Sequence, residues 1–338
     1  MQVKISQAIE IITDAIKAKV VPMLKGSPGT GKSQIIYQIA EAHELEVIDL
    51  RLSQCDPTDL AGFPTIEGNK ADYMPMKHFP IAGDPLPKGK RGWFLFLDEA
   101  TSAPPAIQAA AYKLILDRMV GSHHLHPNVA MALAGNLMTD GAIVHEMSTA
   151  LQSRMLHLEL VVDVKEWNDW AVAKGIDVRI TSYMNYRPDH LYTFKADHTD
   201  STYACPRTWE FTDRILKILD PASKNALPML AGTLSEGIAR EFLVFCKIHE
   251  ELLKPQQILA NPSTVKVPTE PSVLYALSGS IASTMTADNA ADFLTFATRM
   301  PMEFQMVCLK EAVRRHTKLM AHPAIQEWIG KVGKAFFS

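Results

Sequence analysis

Apolar residues in the first half of the chain follow two periods in turn. Residues 5–18 set Ile5, Ala8, Ile9, Ile12 and Ile16 three or four positions apart, which predicts an amphipathic helix with one apolar stripe. Short apolar runs then alternate with helical patterns: a run over 20–24, a helix over 32–44, a run over 47–52, a run over 93–97, a helix over 104–118, a run over 129–134, a helix over 143–152 and a run over 155–162. This alternation is the signature of βαβ units. A strand such as Trp93-Phe94-Leu95-Phe96-Leu97, apolar at every position, is expected where helices cover both faces of a parallel sheet. Pro22 has no N–H to give to a ladder and is expected at the start of its strand or on an unpaired side.

Beyond residue 163 the strand-like runs stop. Helical patterns with Pro-rich breaks at 187–188, 254–262 and 267–271 replace them, which predicts an all-helical second domain. The expected division is 1–162 and 163–338. Within the second part, the tract 227–253 carries Leu230, Leu234, Ile238, Phe242, Phe245 and Ile248 at helical spacing, a core helical pair with Gly232 and Gly237 as candidate interruptions.

Composition agrees with two domains and removes several classes. At 338 residues, with 47% hydrophobic and 21% charged positions, the chain is an ordinary globular sequence and not a disordered one. Its 34 basic and 37 acidic residues leave a net charge of −3, so no whole-surface attraction to nucleic acid is indicated, although a local basic patch stays open. The four cysteines, Cys55, Cys205, Cys246 and Cys308, form no CxxC pair and fit thiols in a reducing cytoplasm. No apolar run reaches the roughly 18 residues of a spanning helix, so a cytoplasmic protein without a membrane segment is expected.

The chemistry concentrates at the ends of the predicted strands. After the first comes Gly26-Ser27-Pro28-Gly29-Thr30-Gly31-Lys32-Ser33, a GxxxxGK[ST] match with a strand before it and a helix after it. The glycines let the backbone curl so that successive N–H groups face phosphate oxygens, and the following helix aims its positive end at the same place. Lys32 supplies a point charge for the β- and γ-phosphates of ATP, and the Ser33 hydroxyl a ligand for Mg²⁺. The run 93–97 ends in Asp98-Glu99, at the strand edge where ligands bind in open α/β folds. Asp98 suits a Mg²⁺ ligand and Glu99 a base that orients and deprotonates an attacking water; alone, the pair would read equally as a solvated edge.

With these two motifs the chain resembles the AAA+ ATPases, and most closely their MoxR-type branch. The segment from Asp98 through Gln108 to Leu116-Asp117-Arg118 is similar to the acidic motif of that branch and the helix after it, as Asp59-Leu60-Ala61-Gly62 is to another of its motifs. Ala130-Met131-Ala132-Leu133-Ala134-Gly135-Asn136 resembles the sensor-one strand, which implies that Asn136 contacts the γ-phosphate or the attacking water; an Asn capping a turn is the alternative. Ala150-Leu151-Gln152-Ser153-Arg154-Met155 resembles the end of the arginine-finger helix, although Met155 stands where an aromatic residue is common. The resemblance implies that Arg154 reaches the nucleotide of a neighbouring subunit; without it, Arg154 reads as a cation at a helix C-terminus. Cys205-Pro206-Arg207 resembles the sensor-two element, in which Arg207 would bend back from the lid onto the phosphates.

The resemblance covers roughly residues 20–250 and implies a P-loop αβα sandwich with a parallel five-stranded sheet, followed by an all-helical lid. It also implies a hexameric ring that couples hydrolysis of Mg²⁺-bound ATP to remodelling a protein partner, often one with a von Willebrand factor A domain. A DNA-acting motor or loader is one alternative and a P-loop kinase or non-hydrolysing switch another; Asp98-Glu99 and the two sensor-like residues weigh against the kinase and the switch. Two further segments stand out. The link 53–91 is long for a compact domain and contains Gly68-Asn69, which suits a hairpin turn. His123-His124-Leu125-His126 has no carboxylate or thiol beside it, which disfavours a metal site, and the resemblance makes it a hairpin facing the ring axis.

Overall fold

The computed structural model describes residues 1–141, 144–145 and 147–332. Two compact units divide the chain: Met1–Asp163 with Lys195–His198, and Val164–Phe194 with Thr199–Ser338.

The first unit contains, in order, β1 (Gln2–Val3), α1 (Ile5–Lys17), β2 (Val21–Lys25), α2 (Lys32–Ala42), β3 (Leu45–Arg51), α3 (Pro57–Ala61), β4 (Phe63–Glu67), β5 (Lys70–Met74), β6 (Gly92–Asp98), α4 (Pro105–Leu116), β7 (Met119–Val120), β8 (His123–His124), β9 (Val129–Gly135), α5 (Thr149–Gln152) and β10 (Met155–Leu160). The main sheet is parallel throughout, in the order β1-β10-β2-β9-β6-β3. Its five long strands fall on the five apolar runs. The sixth, β1, is a two-residue edge strand pairing Gln2 with Glu159, too short to leave a period in the sequence.

Strand alternation sorts the core into two layers. Phe94 and Phe96 of β6, with Ala132 and Ala134 of β9, face Ile35, Ile36 and Ile39 of α2 and Ile12 of α1. Leu95 and Leu97 of β6, with Met131 and Leu133 of β9, face Ile107, Ala111 and Leu114 of α4. Every residue of β6 except Asp98 is buried, which is why the run reads as continuous rather than alternating. Burial of each aromatic ring stabilises the layer by about 1.5–3 kcal/mol.

Pro22 is the second residue of β2, opposite Leu156, and the pairing of β2 with β9 begins only at Met23. The turn at Gly68-Asn69 joins β4 to β5 as an antiparallel hairpin. One expectation is corrected: in place of a helix over 143–152 there is a single turn, Thr149–Gln152, capped by Ser148 Oγ, which accepts from Leu151 N at 3.3 Å. The His145 N–H is drawn instead to Thr101 O at 2.7 Å; residues 143 and 146 lie outside the described residues.

Among the described residues of the second unit there are only helices: α6 (Val164–Ala173), α7 (Val178–Tyr186), α8 (Pro206–Leu216), α9 (Ala226–Leu234), α10 (Glu236–Glu250), α11 (Pro255–Ala260), α12 (Pro271–Thr284), α13 (Ala290–Ala297), α14 (Met302–Arg315) and α15 (Pro323–Val332), with short 3₁₀ turns. The helical pair expected over 227–253 breaks at Ser235, which takes a left-handed backbone (φ 83°), and not at Gly232 or Gly237, which lie inside α9 and α10. Tyr183 of α7 anchors this core, with its ring 5.2 Å from Phe242, 5.3 Å from Phe245 and 5.7 Å from Trp209. No described helix is long and apolar enough to cross a membrane.

His190 links the polar groups of this core. Its Nδ1 lies 2.8 Å from Tyr183 Oη, Arg187 Nη2 donates to its Nε2 at 2.7 Å, and Trp209 Nε1 donates to its carbonyl at 2.9 Å. Burial, helped by Arg187 and opposed by Asp189, holds its pKa below the ordinary 6.5. His249 is lowered in the same direction, again chiefly by burial. Because the unfolded chain binds these protons more readily, their contribution is present above about pH 6.5 and is lost as pH falls through the folded pKa values. Unfolding monitored by tryptophan emission, which reports mainly Trp167, Trp170, Trp209 and Trp328 of this unit, is expected to shift to lower denaturant below that pH. The shift should shrink in His190→Gln; an unchanged slope in that variant would remove His190 from the account.

Candidate functional site

Parallel pairing brings the carboxyl ends of β2, β6 and β9 to one edge, and the chemistry-bearing residues gather there. Gly26 follows β2, and its N–H donates to Gly135 O at 3.2 Å. Gly29 (φ 79°) and Gly31 (φ 95°) take left-handed conformations that an L side chain would strain, and these turn the loop back into α2. Helix α2 starts at Lys32 with no side-chain cap, so its first-turn N–H groups are directed into the loop without a side-chain acceptor.

Lys32 Nζ donates to Gly26 O at 2.6 Å, Ser27 O at 3.1 Å and Asn136 Oδ1 at 3.1 Å, joining the loop to the end of β9. Ser33 Oγ donates to Asp98 Oδ2 at 3.0 Å, setting two hard oxygen donors side by side. The other Asp98 oxygen accepts from Glu99 N at 2.8 Å. Glu99 itself adopts a left-handed backbone (φ 56°), a strain of about 1–2 kcal/mol for a residue with a side chain, and its carboxylate accepts from Ser53 Oγ.

Sequence reasoning missed three residues here. Ser53 follows β3, whose Arg51 is in register with Asp98, so strand pairing delivers its hydroxyl to Glu99; only the pairing, invisible in one sequence, reveals it. Thr101 Oγ1 accepts from Asn136 N at 2.9 Å, and a Cβ at Gly135 would stand 2.5 Å from the same oxygen, so Gly135 permits this close approach. Asp140, buried, accepts from Ser27 Oγ at 2.8 Å and from Leu137 N at 3.1 Å, fastening the phosphate loop to the segment after Asn136.

Gly26 to Ser33, Asp98, Glu99 and Asn136 therefore come together, whereas Arg154 of the same unit does not join them. Arg154 precedes β10, whose first residue Met155 is in register with Val21, the first residue of β2, so Arg154 occupies the opposite edge of the sheet. There its Nη1 donates to Tyr112 Oη and to Ala150 O, each at 2.8 Å, and its guanidinium lies 5.7 Å from the Tyr112 ring centre. Arg207 belongs to the helical unit, where it is the second residue of α8 and is exposed. Burial raises the pKa of Glu210, one turn along that helix, against the opposing pull of Arg214 and Arg207. His123 and His124 form β8, and His126 packs edge-on against Trp93 at 5.0 Å; no group of metal-ligating residues converges among the described residues.

A parallel sheet whose central strand runs into such a glycine loop, flanked by an acidic strand end and a polar one, has the P-loop fold of AAA+ proteins. Residues 22–155 match the family model of the AAA domain, dynein-related subfamily. No curated protein matches the chain. Among solved structures it is similar to the RuvB Holliday junction branch migration motor of Thermotoga maritima (17% identity over 85% of this chain and 83% of that one, TM-score 0.36). It is also similar to a putative ATPase from Cytophaga hutchinsonii (13%, 97% and 88%, TM-score 0.34) and to NtrX from Brucella abortus in complex with ATP (12%, 96% and 68%, TM-score 0.39).

The residues present suit a nucleoside triphosphate and Mg²⁺. The uncapped first turn of α2 and the Lys32 ammonium fit phosphate oxygens, and the paired oxygens of Ser33 and Asp98 fit a hard divalent cation.

Proposed function

We propose that this chain is a Mg²⁺-dependent ATPase of the MoxR type that assembles as a hexameric ring and uses ATP hydrolysis to remodel or activate a protein partner. The observation that carries the reading is the joint placement of Lys32, Asn136, Ser33 and Asp98 at one sheet edge with Glu99 beside them. In this reading Gly26, Ser27, Pro28, Gly29, Thr30 and Gly31 wrap the phosphates with backbone N–H groups, and Lys32 holds the β- and γ-phosphates. Ser33 and Asp98 hold Mg²⁺, which when bound neutralises charge developing on the β- and γ-oxygens. Glu99 takes the proton of the attacking water, and Asn136, now bonded to Lys32, senses the γ-phosphate. Arg154 serves the site of the next subunit, and Arg207 closes the lid on its own. A partner with a von Willebrand factor A domain is proposed from the family resemblance alone.

The test is ATP turnover against protein concentration, with and without duplex DNA at several salt concentrations. Turnover per subunit is expected to rise with concentration as rings form and to be indifferent to DNA. A flat profile would remove the ring requirement, and a large stimulation by DNA that fades steeply with salt would replace the protein-remodelling reading with a nucleic-acid one.

A further inference from the structure

A cavity of about 570 Å³ opens at the amino edge of the sheet, the edge away from the phosphate loop, where Val21 and Val129 begin β2 and β9. Lys17, Lys19, His43, Arg91 and Arg118 line it, and no aspartate or glutamate does. Lys17 is ion-paired with Asp14 at 2.9 Å, whereas Lys19, Arg91 and Arg118 make no ion pair among the described residues. In a chain of net charge −3, this is an uncompensated local concentration of positive charge.

Helix-end electrostatics explain part of it. Helices α1, α2 and α4 all end at this edge, and Lys19, Glu44 and Arg118 follow them with left-handed backbones (φ 60°, 56° and 52°). Cations are favoured there, which suffices for Lys17 and Lys19. It does not suffice for Arg91, which belongs to no helix end; it precedes β6, its carbonyl accepting from the Asn128 side chain at 3.0 Å and its N–H donating to Glu44 O at 2.8 Å. Nor does it explain a half-buried Arg118, whose guanidinium donates to Val129 O and whose charged form is disfavoured by burial with no carboxylate to offset it.

We propose that this cavity is a second anion site, separate from the phosphate loop, for a small molecule carrying more than one phosphate, with Lys19, Arg91 and Arg118 as its charged contacts. Its volume lies within the usual range for small-molecule sites, and two guanidinium groups offer the planar donor forks that match phosphate oxygens. Asn128 and Thr13 add polar groups on its wall.

Inorganic pyrophosphate is the probe. It is titrated by calorimetry into the full chain carrying Lys32→Ala, which weakens the phosphate loop, at ionic strength held constant with sodium chloride. Saturable binding near one per chain is expected, weakened about tenfold or more by Lys19→Ala with Arg91→Ala, and also weakened by Arg118→Lys, which keeps charge but loses the fork. Lys19 and Arg91 are exposed, so the double variant should fold, with the ATP turnover of the Lys32-containing protein unchanged. Absence of saturable binding, or binding indifferent to the Lys19 and Arg91 changes, would overturn the proposal. So would a double variant that altered subunit association and left pyrophosphate affinity intact, since these cations would then face a second copy of the chain.

Discussion

Arg154→Ala is expected to lower ATP turnover by about 10³- to 10⁵-fold, or roughly 4–7 kcal/mol of barrier, with little change in nucleotide affinity. The size follows from what an arginine finger contributes, and in the proposed ring that contribution is made in trans, because Arg154 lies away from its own phosphate loop. Arg154 stands beside the first residue of β2 and the phosphate loop follows its last, Lys25. At about 3.3 Å per residue that strand separates them by ~13 Å, more than an arginine side chain spans. In one chain Arg154 is held by Tyr112 and its own helix turn, so an isolated subunit should hydrolyse slowly whatever its concentration of ATP. A mixing experiment isolates the effect. Arg154→Ala and Glu99→Gln proteins should each be nearly inactive alone, yet mixed rings should regain turnover where an intact Glu99 meets a neighbour's intact Arg154. Normal turnover in Arg154→Ala, or no recovery on mixing, would make Arg154 a structural cation of its own helix end.

The sheet was legible because its strands are buried on both faces: a run such as 93–97, apolar at all positions, is too short for a buried helix and, in a chain whose intervening segments are helical, marks a strand covered on both sides. The loop 26–33 and the Asp98-Glu99 pair were legible because each chemical requirement fixes residue type at consecutive positions. What escaped depends on contacts distant in sequence. Ser53 reaches Glu99 only through the β3–β6 register, and Asp140 reaches Ser27 across 113 residues. Where a helix over 143–152 was expected, the helical turn is confined to Thr149–Gln152, and the His145 N–H meets Thr101 O, another contact distant in sequence. In the helical unit, Ser235 breaks α9 from α10 although the two glycines nearby are the better breakers by propensity; packing of Leu234 and Ile238 into one core outweighs the roughly 1 kcal/mol helical cost of glycine.

Glu99→Gln is expected to bind ATP as tightly as the parent protein and to hydrolyse it about 10²- to 10⁴-fold more slowly. Glutamine keeps the volume of the side chain and still offers an oxygen to Ser53 Oγ, so the left-handed turn at residue 99 and the Asp98 bond from its N–H are retained. What it loses is the basic carboxylate that the proposed mechanism assigns to the proton of water. In the proposed mechanism binding rests on Lys32, Ser33 and the loop N–H groups, none of which the change touches. Ser53→Ala is the companion test: it removes one hydrogen bond to a charged group, about 1.5–3 kcal/mol, and leaves the base itself in place. Its effect should therefore fall on kcat rather than KM, and it should be much smaller in Glu99→Gln than in the parent, because the two residues act through one contact. Full turnover in Glu99→Gln would take the base away from Glu99, and equal effects of Ser53→Ala in both backgrounds would show that Ser53 acts on something else.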